Sequence, residues 1–330
     1  MDARTRLVNT LNFKPVDRLP VLEWAGWWDR TIDRWHTEGL PARLTDAYEI
    51  REYFGMDGHR QYRIPVKKAD CPPSPGVGKG IVDGMDDYNR IRPLLYPEEA
   101  FDVSSLAAWE AQHKQGVLSI WINLMCFFFT PRDLLGVENH FYAFNDQPEL
   151  IHAINDDLVK FYLKVLDQFC GVCRPDFAVL SEDISYNKGT MISKAIFDEF
   201  IAPYYRRLVP RLKEYNIITI VDSDGDIEEV IPWFNGVGIE GFLPLEKQAG
   251  VDIVRLRRKF PKLKIIGAYD KMVMSKGEEA MRTEFERILP VMRQGGYIPG
   301  VDHQTPPEVS LDNYRVYLRL LNEYCRKAVS

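Results

Sequence analysis

The fold is decided by the stretch Ile217-Ile218-Thr219-Ile220-Val221, which is followed at once by Asp222-Ser223-Asp224. Every residue of the apolar run is β-branched and the run is too short for a typical helix, so it predicts a buried strand. Helical patterns flank this strand, at Ser193–Lys213 before it and at Ile227–Phe234 after it. Because strands and helices alternate from residue 177 to the end of the chain, the sequence predicts parallel βαβ units and an α/β fold.

Similar short apolar runs occur along the whole chain. The predicted strands are Leu19–Trp24, Val117–Ile122, Phe177–Leu180, Ile217–Val221, Gly238–Phe242, Leu263–Gly267 and Tyr297–Val301. No glycine fingerprint for a dinucleotide is present, which favours a closed (β/α)8 TIM barrel over an open Rossmann sheet. The first half is less regular, and residues 67–97, rich in Pro, Gly and Asp, are expected to form an inserted loop near one barrel mouth. We expect residues 1–330 to form a single domain.

Composition excludes several classes of protein. The 330 residues are 45% hydrophobic and 27% charged, which is typical of a soluble globular protein. A formal net charge of −6 argues against nucleic-acid binding, which needs a basic face. No apolar run approaches the roughly 18 residues of a membrane span, and no signal peptide is recognisable at the N-terminus. Five scattered cysteines are consistent with reduced thiols, so we expect a cytoplasmic enzyme.

Polar side chains follow nearly every predicted strand, at the position where catalytic groups of a TIM barrel lie. We expect the following residues to face one barrel mouth, although Asp224 or Asp270 could merely cap a helix: Glu23, Glu182, Asp183, Asp222, Asp224, Glu246, Asp270, Asp302 and His303. Two kinds of chemistry are open to such a set. Carboxylates with one imidazole can bind Zn²⁺, Mn²⁺ or Mg²⁺. Alternatively, an acid crowded among acids has a raised pKa and can transfer protons.

Particular roles are predicted for some of these residues. Asp222, Glu246 and His303 are the preferred metal ligands, because three protein ligands leave a coordination position open for substrate or water. Trp24 and Trp121 lie near strand ends, where they would line a flat, apolar substrate slot.

Tyr186 follows the strand end at Glu182 and could offer its hydroxyl to the same pocket. A buried tyrosine with a satisfied hydroxyl is the alternative interpretation.

The order of motifs resembles the uroporphyrinogen decarboxylase superfamily over essentially the whole chain. The motifs that carry the resemblance are Arg6–Asn9, Pro15–Val21, Glu52–Asp57, Leu134–Glu138, Asp146–Leu150, Asp222–Asp226, Gly267–Lys271 and Gly295–Pro299. The resemblance implies a TIM barrel with the active site in its C-terminal mouth, and a homodimer. The superfamily contains decarboxylases and corrinoid-dependent methyltransferases.

Two departures from the family patterns narrow this resemblance. The decarboxylases carry an arginine-rich segment after the first strand, and here Glu23–Trp28 occupies that place, with an acid that would repel a polycarboxylate. The thiol-methylating members bind zinc with a His-x-Cys pair, and here Asp222-x-Asp224 stands in that position.

The chain looks more like the branch that demethylates small compounds such as aryl methyl ethers and passes the methyl group to the Co(I) of a separate corrinoid protein, which carries the cobalamin. In that branch Zn²⁺ would polarise the ether oxygen. Glu182 would orient the substrate or donate a proton, with Asp224 second, and Glu23, Trp24 and Trp121 would contact the substrate. The rival hypotheses are a decarboxylase-like lyase and a non-catalytic barrel that docks a corrinoid protein.

Overall fold

A parallel sheet of seven strands, curled as in a TIM barrel, forms the centre of the computed structural model, which describes residues 1–330. Its strands lie in the order β1-β2-β3-β6-β7-β8-β9, and every neighbouring pair is parallel. Two further strands, β4 and β5, form an antiparallel hairpin. The strands are β1 His59–Arg63, β2 Ser119–Met125, β3 Phe177–Ser181, β4 Ser185–Tyr186, β5 Gly189–Thr190, β6 Ile218–Ser223, β7 Gly241–Pro244, β8 Lys264–Tyr269 and β9 Tyr297–Val301.

Helices connect the strands and cover the outside of the sheet. They are α1 Ala3–Leu11, α2 Asp29–Thr37, α3 Ala47–Tyr53, α4 Met85–Ile91, α5 Val103–Lys114, α6 Phe129–Leu135, α7 Val137–Asp146, α8 Pro148–Val172, α9 Lys194–Phe200, α10 Ala202–Glu214, α11 Ile231–Asn235, α12 Ile253–Lys259, α13 Glu278–Met292 and α14 Leu311–Lys327. Short 3₁₀ helices occur at Arg92–Leu94, Lys247–Ala249 and Lys271–Lys276. No helix combines the length and the apolar character that crossing a membrane requires.

The predicted α/β class and TIM-barrel-like architecture are confirmed, and all but one of the predicted strands are present with shifted ends. The exception is Leu19–Trp24, which is extended but forms no strand. Its neighbours place it between the two edges of the sheet, since Val21 accepts the backbone N–H of Asp57 (2.8 Å) before β1 and the Trp24 indole donates to Val301 (2.8 Å) in β9. The first regular strand is β1, which was not predicted because His59–Arg63 is polar.

Residues 67–97 form the expected irregular excursion, with only α4 and a 3₁₀ turn inside it. The excursion packs on the segment that follows β2, since the N–H of Val137 donates to Gly78 (3.0 Å). Gly80 has no room for a side chain, because a Cβ there would lie 2.1 Å from the backbone carbon of Leu135. Close approach of the two backbones therefore requires glycine at this position.

The apolar core has two parts, one on each face of the curled sheet. The larger part packs the strands against the surrounding helices. The smaller part fills the barrel interior with Leu7, Leu11, Leu22, Trp121, Phe177, Val179, Ile218, Ile220, Leu243, Ile266 and Ile298. Because Leu7 and Leu11 belong to α1, this helix contributes to the interior core, and a cavity remains at the carboxyl ends of the strands.

Candidate active site

A cavity of about 350 Å³ opens at the carboxyl ends of the barrel strands. Its apolar lining is Leu22, Trp24, Ala25, Trp121, Met125, Phe129, Phe177, Val179, Leu243, Ile266 and Ile298. Its polar lining is Gln61, Arg63, Asn123, Ser181, Asp183, Asp222, Asp224, His303 and Gln304. The cavity thus combines an apolar, partly aromatic wall with a cluster of carboxyl groups, as small-molecule sites commonly do.

Asp222 and Asp224 are the acidic centre of the cavity. Burial, followed by the neighbouring Asp224 charge, raises the pKa of Asp222 to about 7. Burial, with the charges of Glu246 and Asp183, raises the pKa of Asp224 to about 6. The hydroxyl of Ser181 donates to Asp222 (3.2 Å) and opposes part of this shift. Both carboxyl groups can therefore hold and release a proton near neutral pH.

The three predicted metal ligands lie around this centre without converging. His303 Nε2 lies 4.0 Å from Oδ2 of Asp224, which was not among the predicted ligands. Glu246 lies outside the cavity lining, and its Oε2 accepts the backbone N–H of Gly225 (2.9 Å). No three ligand atoms of His, Cys, Asp or Glu lie within 4.8 Å of one another in the mouth. The ligand atoms of Asp222, Glu246 and His303 are thus not gathered as in a three-ligand zinc site, and their assignment as metal ligands stays a prediction.

Burial and the nearby ammonium group of Lys271 lower the pKa of His303, while Glu246 opposes this effect. His303 therefore favours the neutral imidazole, which accepts as well as donates hydrogen bonds.

Trp24 and Trp121 both line the cavity, as expected. Trp121 is buried in a stack of rings. Its ring centroid lies 4.5 Å from that of His59 on one side and 4.8 Å from that of Phe177 on the other. The Trp24 ring is fixed through its hydrogen bond to Val301. Both indoles are therefore held rigidly. Because the rings of His59 and Phe177 cover the faces of Trp121, this indole borders the cavity with its edge.

Strand β1 adds two polar residues that were not predicted, Gln61 and Arg63. They share one face of the strand, and the positive charge of Arg63 lowers the pKa of Asp222 against the effect of burial. The sequence signal for these two residues is their spacing, because residues 59, 61 and 63 of a strand point to the same face of the sheet. It was hidden because the strand has too few apolar residues to be recognised.

Glu182 is fully buried and lies outside the cavity lining. Its oxygens accept the backbone N–H groups of Phe127 (3.2 Å), Phe128 (2.7 Å) and Phe129 (3.2 Å), and the hydroxyl of Tyr205 (2.5 Å). Burial raises its pKa to about 7, although all of these donors favour the charged form. The carboxyl group thereby anchors the turn that leads from β2 into α6, beside the cavity.

The family of the chain is identified by sequence over residues 124–324, which match the model of the uroporphyrinogen decarboxylase (URO-D) family. The match spans more than half of the chain. The protein belongs to the uroporphyrinogen decarboxylase family. Among curated proteins, none matches the sequence of this family member.

Solved structures resemble this uroporphyrinogen decarboxylase family member in fold. A methyltransferase from Methanosarcina mazei has a TM-score of 0.68 and 13% identity, with 98% of this chain and 99% of that chain covered. A B12-independent methionine synthase from Shewanella sp. W3-18-1, in complex with selenomethionine, has a TM-score of 0.43 and 12% identity, with 68% and 65% covered. At these identities the first likeness establishes the fold alone, and the second is too remote to support an argument.

In this member of the uroporphyrinogen decarboxylase family, Glu23 lies behind the cavity wall. Its carboxyl group is 1% exposed, and neither oxygen has a hydrogen-bond partner. Burial raises its pKa to about 8. The positive charge of Arg51, the nearby N–H of Ala25 and the nearby hydroxyl of Tyr314 oppose this only in part.

Tyr186 is half-exposed in the β4–β5 hairpin and also lies outside the cavity lining. Its carbonyl accepts the N–H of Asp226 (2.9 Å), which attaches the hairpin to the loop after β6.

One group of side chains in this family member could hold a metal ion as placed, and it lies away from the mouth. Glu110, His113 and Cys173 each bring a ligand atom within 4.8 Å of the other two. None of the three lines the cavity.

Proposed function

We propose that this protein is a methyltransferase that removes the methyl group of a small aryl methyl ether in the barrel mouth and passes it to the Co(I) of a separate corrinoid protein. The observation that carries this proposal is the pairing of an apolar, partly aromatic wall with two carboxyl groups, Asp222 and Asp224, whose pKa values are raised to about 7 and about 6. The fold likeness to a methyltransferase is consistent with it. The curled parallel sheet places the cavity at the carboxyl ends of its strands, where the active sites of TIM barrels lie.

Substrate binding is assigned to the apolar wall. Trp24 and the edge of Trp121 contribute apolar surface against which an aromatic ring can pack, and Leu243, Ile266 and Ile298 add aliphatic surface to the same cavity. Burying a ring in such a site is favourable by roughly 25 cal/mol for each Å² of apolar surface removed from water. Because both indoles are fixed by their own contacts, little side-chain entropy is lost when a ring binds.

The leaving oxygen requires a proton, and Asp222 is the proposed donor. When the bond between the methyl carbon and oxygen breaks, its electron pair stays on oxygen, and the proton of Asp222 converts the phenolate into a phenol. A pKa of about 7 leaves Asp222 partly protonated at neutral pH, as a general acid requires. Asp224, with a pKa of about 6, keeps the pKa of Asp222 raised and can relay a proton from solvent.

The corrinoid of the partner protein would supply the nucleophile that accepts the methyl group. The cavity of this chain opens at the carboxyl end of the barrel, and through this opening the corrinoid would reach the methyl group of the bound substrate. The oxygen and nitrogen donors of the mouth match the ligand chemistry of Zn²⁺, but they are not gathered into a three-ligand site. The proposed proton transfer is therefore derived from Asp222 and Asp224 alone.

The test is a demethylation assay with the purified protein, 2-methoxyphenol and free cob(I)alamin as the methyl acceptor. We expect release of catechol by the wild type and a loss of about 10²- to 10⁴-fold in Asp222→Asn. Asp270→Asn is the matched control, because Asp270 also follows a strand end but lies outside the cavity lining. Equal rates for the wild type and Asp222→Asn would contradict the assignment of the donor. No release of a phenol from any methoxy-aromatic compound would contradict the proposed reaction.

One observation favours a second candidate, a decarboxylase-like lyase that acts on a smaller acid. Arg63 lines the cavity and places a positive charge close to Asp222. A guanidinium group binds a substrate carboxylate well, which the acidic residues of the mouth cannot do. Release of CO₂ from an aromatic acid, with the methoxy group left intact and with loss of the reaction in Arg63→Gln, would favour the lyase over the methyltransferase.

A further inference from the structure

A cluster of three ligand-type side chains lies outside the active-site cavity, beside the amino-terminal ends of β2 and β3. Helix α5 supplies Glu110 and His113, which are one turn apart on one face, and Cys173 caps the end of α8. One ligand atom of each lies within 4.8 Å of the other two. His113 and Cys173 are each 1% exposed, while Glu110 is half-buried. The cluster therefore combines one nitrogen, one sulfur and one carboxylate donor with little access for water.

His113 is oriented by a fourth residue, Asp176, which directly precedes β3. The distance from His113 Nε2 to Asp176 Oδ2 is 3.0 Å. Asp176 is itself held by the Nε–H of Arg4 (2.8 Å) and by the backbone N–H of Ile120 (3.0 Å). Histidines that bind metals in proteins commonly donate their second ring N–H to a carboxylate in this way. With Nε2–H donating to Asp176, the Nδ1 atom is the one that faces Glu110.

The polar groups of the cluster meet at the carboxylate of Glu110, whose Oε1 also pairs with the exposed ammonium group of Lys114 (3.2 Å). His113 Nδ1 lies 3.1 Å from Glu110 Oε2, and a neutral imidazole would direct a lone pair at that carboxylate. Either a proton or a metal ion can resolve this repulsion. The buried thiol of Cys173 hydrogen-bonds to the same carboxylate, and burial together with this contact raises the pKa of the thiol. A metal ion would use all of these atoms at once, as it displaces the thiol proton.

The donor set selects the class of metal. Sulfur and imidazole ligands do not suit Mg²⁺ or Ca²⁺, whereas Zn²⁺ binds Cys, His and carboxylate together. At Zn–S of about 2.3 Å and Zn–N of about 2.0 Å, tetrahedral ligand atoms lie about 3.5 Å apart. Separations of up to 4.8 Å therefore need to close by little more than about 1 Å. The Glu110 side chain is 15% exposed, so a single water molecule can reach the cluster from this side as the fourth ligand.

We propose that Glu110, His113 and Cys173 bind a Zn²⁺ ion that fastens α5 and α8 to the amino-terminal end of the barrel. The site is structural, since this end of a TIM barrel carries stability and the catalytic loops lie at the other. The site is independent of the function proposed for the mouth. No cysteine lines the active-site cavity, so a metal–thiolate signal reports on this site and not on the mouth.

The experiment is a titration of the metal-free full-length protein with Co²⁺, followed by the near-ultraviolet absorption of the cobalt–thiolate bond. We expect about one Co²⁺ per chain with this band, and a rise of several degrees in Tm when Zn²⁺ is added. Cys173→Ser should lose both signals. Cys170→Ser is the matched control, because Cys170 lies one turn earlier on the same helix and is not part of the cluster, so it should retain both.

Glu110→Gln provides a second variant in case Cys173→Ser folds poorly. Because Glu110 is half-buried, this change keeps the packing and should lower the affinity for Co²⁺ at least about tenfold. Absence of the band in the folded wild type at excess Co²⁺ would overturn the proposal. A band of equal strength in Cys173→Ser, or its loss in Cys170→Ser, would overturn it as well.

Discussion

Replacing Glu23 by Gln is expected to change how the stability of the fold depends on pH. Glu23 lies between the cavity wall and the helices, is 1% exposed and has no hydrogen-bond partner for either carboxyl oxygen. Burial raises its pKa from the ordinary value of 4.5 to about 8. The folded state therefore holds the neutral acid more strongly than the unfolded state does, and Gln imitates that neutral form at every pH.

The size and sign of the effect follow from this shift in pKa. A folded-state pKa that is raised from 4.5 to about 8 contributes stability that is fully present below pH 4.5 and is lost as the pH rises through about 8. Each unit of pKa corresponds to about 1.4 kcal/mol, so the wild type should lose on the order of 5 kcal/mol between these limits. Glu23→Gln does not titrate and should avoid this loss. As the pH rises, the free energy of unfolding of Glu23→Gln should therefore increase relative to that of the wild type.

The assay is urea-induced unfolding of both proteins at pH 5, 7 and 9. We expect the difference in unfolding free energy to move in favour of Glu23→Gln by at least about 3 kcal/mol over this range. Glu52→Gln serves as the control, because the Glu52 side chain is 63% exposed and its charge stays in water in both states. A difference that stays constant with pH would refute the reasoning. A difference that moves the opposite way would mean that Arg51 holds an ionised Glu23 in the folded protein.

Three further predictions concern the mouth and its support. If Asp222 donates a proton, turnover should fall as the pH rises through about 7. Because the Asp224 charge raises the pKa of Asp222, Asp224→Asn should move this fall in turnover to lower pH. The pH–rate profiles of the wild type and the variant check both expectations. In urea unfolding, Glu182→Ala should lower the free energy of unfolding by about 2–5 kcal/mol, because it leaves four hydrogen-bond donors without an acceptor. The control is Asp183→Asn. Since the Asp183 side chain is 43% exposed, this change should cost less than about 1 kcal/mol. In elemental analysis, His303→Ala should retain the metal content of the wild type and Cys173→Ser should lose it. The reason is that the cluster of Glu110, His113 and Cys173 lies away from the mouth. The reverse result would place the metal in the mouth.

Much of the fold could be predicted from sequence, because a parallel strand buried on both faces is a short apolar run. The runs at Phe177–Ser181 and Tyr297–Val301 are of this kind, and they were located to within a residue. The short β4–β5 hairpin was also missed, but the two errors that concern the barrel wall have one physical origin. Leu19–Trp24 has the apolar pattern of a strand but lacks a hydrogen-bonded ladder, whereas His59–Arg63 has the ladder but not the pattern. Composition predicts burial, and pairing depends on what lies alongside the strand.

The candidate site was predicted only in part, because a position at a strand end does not fix the direction of the side chain. Successive residues of a strand point to opposite faces, so one step in sequence separates the cavity from the helical layer. Leu22 and Trp24 face the cavity, and Glu23 between them faces outward. The same alternation sends Ser181 into the cavity and Glu182 toward the backbone of α6.

Unlike Glu23 and Glu182, Asp222 lies at a strand position whose side chain points into the cavity. It follows Ile218 and Ile220, which both lie in the barrel interior, and so it continues their face into the mouth. Counting in steps of two from an interior residue of each strand therefore separates Asp222 from Glu23 and Glu182. Asp224 and His303 lie beyond the strand ends, where alternation no longer applies, and only the path of the loops brings their side chains within 4.0 Å of each other.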